Sequence, residues 1–150
     1  MLRIELPDEL SDELVDAFRR LLPQLSPSAE IPDAEVVKEI VSSPATTVLA
    51  ARDVEGIVGL LTLAVFRAPS GLRAWIEDVV VDEAARGRGI GEALTREAVR
   101  LAGERDARTV DLTSRPSREA ANRMYEKVGF RKRETNVYRY EPEADPSGSL

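Results

Sequence analysis

Apolar residues change their spacing several times along this chain, and each change marks an element. Leu2, Ile4 and Leu6 alternate with polar neighbours, as a short strand does. Over residues 8–22 the apolar positions Leu10, Leu14, Val15, Phe18, Leu21 and Leu22 recur at helical spacing, and Pro23 is expected to stop that helix. Pro32 suits the start of a second helix, whose inward face is Val36, Val37, Ile40 and Val41 and whose end lies near Ser43-Pro44. The β-branched and aliphatic runs 46–52 and 57–66, joined through Asp53-Val54-Glu55-Gly56, predict a hairpin, and Pro69-Ser70-Gly71 leads to a further strand over 73–81. Residues 90–105 set Ile90, Leu94, Ala98 and Leu101 on one helical face against Glu92, Arg96, Glu97 and Arg100. A strand over 109–113 follows, then a helix capped by Ser117 that runs to Val128 and ends at Gly129, then one or two closing strands within 130–140. This order predicts a single α/β (α+β) domain: a mixed, mostly antiparallel sheet of six to seven strands with helices on both faces.

Composition narrows the chemistry. The 150 residues, 43% hydrophobic and 32% charged, suffice for one core. The longest apolar runs fall well short of the roughly 20 residues of a membrane span, and the opening residues do not resemble a signal peptide, so no membrane partner and a cytoplasmic setting are expected. There is no Cys and no His, which removes disulfides, the thiol nucleophile, the commonest general base and the commonest metal ligand. Catalysis here must use carboxylates, hydroxyls or backbone, and no metal is expected. A net charge of -6 argues against a nucleic-acid partner, although arginines gather between Arg86 and Arg123.

Those arginines surround the turn Arg86-Gly87-Arg88-Gly89-Ile90-Gly91. A strand that turns through glycines into a helix leaves the first N–H groups of that helix unpaired, and the helix dipole adds about half a positive charge there. Arg86 and Arg88 can add two more, and the bare glycines let a phosphate approach the main chain. The segment therefore reads as a pyrophosphate cradle, the alternative being a tight turn that merely needs glycine. A dinucleotide fingerprint fails because its third glycine position holds Glu92 or Leu94, and a Walker loop fails for want of Gly-Lys-Ser or Gly-Lys-Thr.

Two segments in order resemble a known family. Ile76-Glu77-Asp78-Val79-Val80-Val81-Asp82 with Arg86-Gly87-Arg88-Gly89-Ile90-Gly91-Glu92-Ala93-Leu94 is similar to the acetyl-coenzyme A motif of GNAT N-acetyltransferases, and residues 120–130, Ala120 to Phe130, resemble the second signature of that family. The resemblance covers about residues 2–140. It implies a GNAT domain over 1–141, with 142–150 as a disordered tail, and an acetyl group passing from acetyl-CoA to a primary amine by direct attack through a tetrahedral intermediate. It further implies that backbone N–H groups of Arg86, Gly87, Arg88, Gly89, Ile90, Gly91 and Glu92 bind the pyrophosphate. The strand before the turn would carry a bulge and splay from its neighbour, so that Val79, Val80 and Val81 offer backbone to the pantetheine arm.

By the same resemblance Tyr125 protonates the departing thiolate, and Asn122 hydrogen-bonds the cofactor arm. A phenol of pKa about 10 keeps the needed proton at neutral pH. The base is Glu77 or Asp78, acting directly or through water. As strand neighbours these two point to opposite faces, so only one addresses the cleft. Asp111 reads as structural. A non-catalytic acyl-CoA-binding module is the rival reading. The acceptor is open, and a homodimer through the exposed sheet edge or the closing strands is compatible with the sequence.

Overall fold

The computed structural model describes residues 1–143, and the expected tail falls largely outside them. The chain forms β1 (Arg3–Glu5), α1 (Asp12–Leu25), α2 (Ala34–Ser42), β2 (Thr46–Asp53), β3 (Gly56–Ala68), β4 (Gly71–Val81), a 3-10 turn (Glu83–Ala85), α3 (Ile90–Glu104), β5 (Thr109–Asp111) and α4 (Glu119–Val128). The five strands lie in chain order in one sheet, antiparallel except for the parallel β4–β5 pair that α3 connects. Among the described residues no helix is long and apolar enough to cross a membrane.

Strand alternation splits the core in two. Leu49, Ala51, Leu61, Leu63, Ala74 and Ile76 pack against Ile90, Leu94, Ala98 and Leu101 of α3. Val48, Ala50, Ile57, Leu60 and Val80 pack on the other face against Leu14, Phe18, Leu21 and Leu22 of α1 and Val37 of α2. Gly59 lets α3 approach closely: a Cβ there would stand 3.1 Å from Ile90 Cγ2 and 3.1 Å from Leu94 Cδ1.

Several boundaries differ from the pattern, each for a local reason. Helix α1 begins at Asp12 because Ser11 caps it, its Oγ accepting from the Leu14 N–H at 3.1 Å. Pro23 does not stop α1; it sits in the last turn, and the helix runs on to Leu25. The extra residues have a tertiary use, since Gln24 Oε1 accepts from the Glu83 N–H at 2.8 Å. Asp33, just after Pro32, caps α2 through the Val36 N–H. Ser117 caps nothing, and Arg118 takes the position before α4. The closing strands expected within 130–140 are absent: residues 130–143 form no strand, so among the described residues the sheet has five strands rather than six or seven.

Candidate active site

Register places an irregularity in the middle of β4. Leu60 pairs with Val80 and Thr62 with Glu77, so Asp78 and Val79 together face Leu61. Asp78 is the bulged residue, at φ 52°, a left-handed conformation that Asp tolerates better than most side chains. The extra residue shifts the alternation by one: Ile76, Val79 and Val81 pack toward α3, whereas Val80 faces α1.

Strand β4 also loses a neighbour here. Its parallel pairing with β5 covers only Arg73, Ala74 and Trp75, opposite Thr109, Val110 and Asp111. Past Trp75 the chain of β5 departs, and on that side the edge of β4 from Ile76 to Val81 has no strand partner among the described residues. A bulged strand with a free edge thus runs straight toward the glycine turn.

At the turn, Gly87 (φ 82°) and Gly89 (φ 77°) are both left-handed, and a Cβ at either would meet nothing within 4 Å. Backbone geometry rather than crowding therefore asks for glycine. Gly89 precedes α3 without any side-chain cap, which leaves the N–H groups of Ile90, Gly91 and Glu92 for an outside acceptor. The residues fit a diphosphate: an open approach, unpaired donors and the positive end of a fifteen-residue helix.

The side chains around the turn divide their work. Arg86 Nε lies 3.3 Å from the Val81 carbonyl it donates to. Arg88 is held by Asp53 at 3.3 Å and by the Ala84 carbonyl, so part of the charge expected for an anion is already matched. Ile90 is buried and serves through its backbone alone. The carboxylate of Glu92 is bound by Arg96 at 3.0 Å and Lys127 at 3.1 Å, which lowers its pKa and ties α4 to α3. A surface cavity of about 450 Å³ beside the turn is lined by Arg20, Asp53, Asp82 and Arg88, whose charges pair with one another.

Tyr125 is 6% exposed and packs edge-on against Phe130 with ring centroids 5.9 Å apart. Burial raises its pKa, only partly opposed by the Arg118 charge, so the phenol is protonated across the neutral range. Its hydroxyl has no hydrogen-bond partner among the described residues. Asn122, one turn earlier, spends its Nδ2 on the Arg115 carbonyl at 3.1 Å, which pins the strand-to-helix loop and leaves Oδ1 for another partner.

Glu77 still pairs in register with Thr62, and Asp78 directly after it is the bulged residue. Both are exposed, and desolvation together with the Glu77 charge raises the pKa of the Asp78 carboxyl. Glu77 accepts from the Trp75 indole at 2.6 Å, a contact the sequence reading missed although the i, i+2 spacing on a strand permits it. Also missed is Ser114, on the stretch leaving β5, whose buried Oγ has no partner.

Solved structures share this architecture. A transcriptional regulator from Bacillus halodurans C-125 aligns with a TM-score of 0.81 at 25% identity over 94% of this chain and 100% of that one. The aminoglycoside acetyltransferase meta-AAC0020 from an uncultured soil metagenomic sample aligns at 0.81 and 23% identity over 95% and 96%, and glucosamine-6-phosphate N-acetyltransferase from Arabidopsis thaliana at 0.78 and 20% over 93% and 98%. A search of curated proteins gave no match. The model of the Acetyltransferase (GNAT) family matches residues 8–130, from the approach to α1 through the end of α4, and the chain belongs to that family of acetyltransferases.

Proposed function

We propose that this protein is an N-acetyltransferase that takes its acetyl group from acetyl-CoA and delivers it to a primary amine. The observation that carries the reading is the alignment of a bulged, free-edged β4 with an uncapped helix start at Gly89. The bound donor supplies a thioester carbonyl activated for acyl transfer. Backbone N–H groups of residues 86–92 hold the diphosphate, and the free edge of β4 at Val79, Val80 and Val81 pairs with the amide-bearing arm.

Around the bulge, main-chain N–H groups stabilise the negative charge that develops on the carbonyl oxygen under attack. Glu77 or Asp78 accepts the proton lost by the incoming ammonium; the raised Asp78 pKa makes it the stronger base of an ordinary carboxylate pair, while Trp75 holds Glu77 in place. Tyr125 gives its proton to the leaving thiolate, a role that a buried phenol without a competing partner can fill. The nitrogen–carbon bond forms, the carbon–sulfur bond breaks, and the products are an acetamide and free thiol.

Calorimetry with acetyl-CoA followed by thiol release over a panel of amines tests this directly. Saturable binding with turnover on at least one amine is expected. Absence of binding would remove the cradle, and binding without any turnover would favour the non-catalytic module.

A further inference from the structure

Arg88 lies between the two left-handed glycines, yet its side chain leaves the cradle. Past Trp75, strand β4 has β3 on one side and its free edge on the other, and the guanidinium reaches to the hairpin side. There Nη1 donates to Asp53 Oδ2 at 3.3 Å, and Nη2 donates to the Ala84 carbonyl at 3.3 Å. A Cβ at Gly91, further along, would instead meet Met124 of α4. Arg88 therefore works behind the turn rather than in it.

Asp53 is held ready to receive it. It closes β2 opposite Gly56, its Oδ1 accepts from the Glu55 N–H at 2.7 Å, and its side chain is 10% exposed against 57% for Arg88. The turn has little else behind it. The cavity of about 450 Å³ with Arg20 and Asp82 opens on one flank of the pair, a second of about 220 Å³ with Met1, Leu2 and Ile90 on the other, and Asp53 and Arg88 line both. Since a Cβ at Gly87 or Gly89 would meet nothing within 4 Å, side-chain packing does not set the position of these residues either. An ion pair this exposed adds little stability, but one that spans a gap can fix a geometry.

We propose, on the reading of the turn as the donor's phosphate site, that Asp53 is a positioning residue for that site. Through Arg88 it props the glycine turn against the β2–β3 hairpin, so that the N–H groups of Ile90, Gly91 and Glu92 are already presented when the anion arrives. Prealigned donors lose less freedom on binding, so the strut acts on affinity for acetyl-CoA. The competing role for Arg88, a phosphate ligand that Asp53 holds back, has the opposite sign, because freeing the guanidinium would then tighten binding.

Calorimetric titration with acetyl-CoA of the parent, Asp53→Asn, Arg88→Gln and the double variant should show affinity about fivefold or more weaker in each single variant, with no further loss in the double. Arg88→Lys keeps a cation opposite Asp53 and should recover part of the affinity lost in Arg88→Gln, but nothing in the Asp53→Asn background. A cation that touched the phosphate itself would recover it in both. Thermal melts check that each variant is folded, and Asp53→Ser, whose hydroxyl can still accept from the Glu55 N–H, replaces Asp53→Asn should that variant not fold. Tighter or unchanged binding on loss of the Asp53 carboxylate, additive losses in the double variant, or a lysine that works without Asp53 would each overturn the strut alone. A parent that fails to bind acetyl-CoA would overturn the cradle and the strut with it.

Discussion

Replacing Gly89 with glutamate separates what the fold needs from the turn and what a ligand needs. Gly89 sits at φ 77° and ψ 17°, and nothing lies within 4 Å of a Cβ placed there, so the structural cost is confined to the backbone. Left-handed geometry costs an L-residue about 1–2 kcal/mol, and the stiffer unfolded chain returns roughly 0.4–1 kcal/mol. A carboxylate beside the helix start returns another ~0.3–1 kcal/mol. The net loss is therefore about 1 kcal/mol or less, a fall in Tm of about 2–4 °C at this size.

The penalty for a bound diphosphate is larger. A unit charge about 4 Å from a phosphate costs ~1 kcal/mol in a water-like dielectric and ~4 kcal/mol at an effective constant of about 20, so affinity should fall by about fivefold or more. Gly91→Ala is the control, because its Cβ would stand 3.5 Å from Met124 Cε and 3.8 Å from Val81 Cγ2, ordinary contacts. Alanine there should gain about 0.5–1 kcal/mol of helix preference and raise Tm. Calorimetric titration with acetyl-CoA alongside thermal melts reads both quantities. A folded Gly89→Glu protein that binds acetyl-CoA as tightly as the parent would refute the assignment of the turn.

Tyr125→Phe removes only the buried hydroxyl, so kcat should fall by about 10²-fold while affinity for acetyl-CoA holds; steady-state rates equal to the parent would remove Tyr125 as the acid. Asp78 has a raised pKa from burial and the Glu77 charge, so its contribution to stability is present below the unfolded pKa and is lost as pH rises through the folded value. The isosteric Asp78→Asn, which tolerates the same φ, should therefore melt higher than the parent near about pH 7 and equally near about pH 3. Glu13 has the opposite sign: its hydrogen bonds to Arg52 lower its pKa, so the stability it adds is present above the unfolded value and lost as pH falls through the folded one. Exposure and salt limit that pair to about 0–1 kcal/mol, and Glu13→Gln should lower Tm slightly at neutral pH with no effect in strong acid.

Periodicity alone located every helix and the five strands, because burying one face of an element imposes a spacing that the residues cannot hide: Leu14, Phe18 and Leu21 could only be a helix face, and Val48 to Ala51 only a two-faced strand. The glycine turn was equally legible, since left-handed backbone at Gly87 and Gly89 is written in the residue type. The family and the pairing of Tyr125 and Asn122 on one helix followed from the order of the two motifs. What tertiary contact decided lies at ends and at exceptions. Pro23 sits in the last turn of α1, which runs on to Leu25 and sets Gln24 against the Glu83 N–H, and the bulge at Asp78 exists only in the register with Leu61. Trp75 reaching Glu77, Asp53 claiming Arg88 and the free edge of β4 are distances across strands, which no local spacing encodes. Residues 130–140 have the composition of a strand, but pairing is a property of two edges, and this chain's own β5 does not take them.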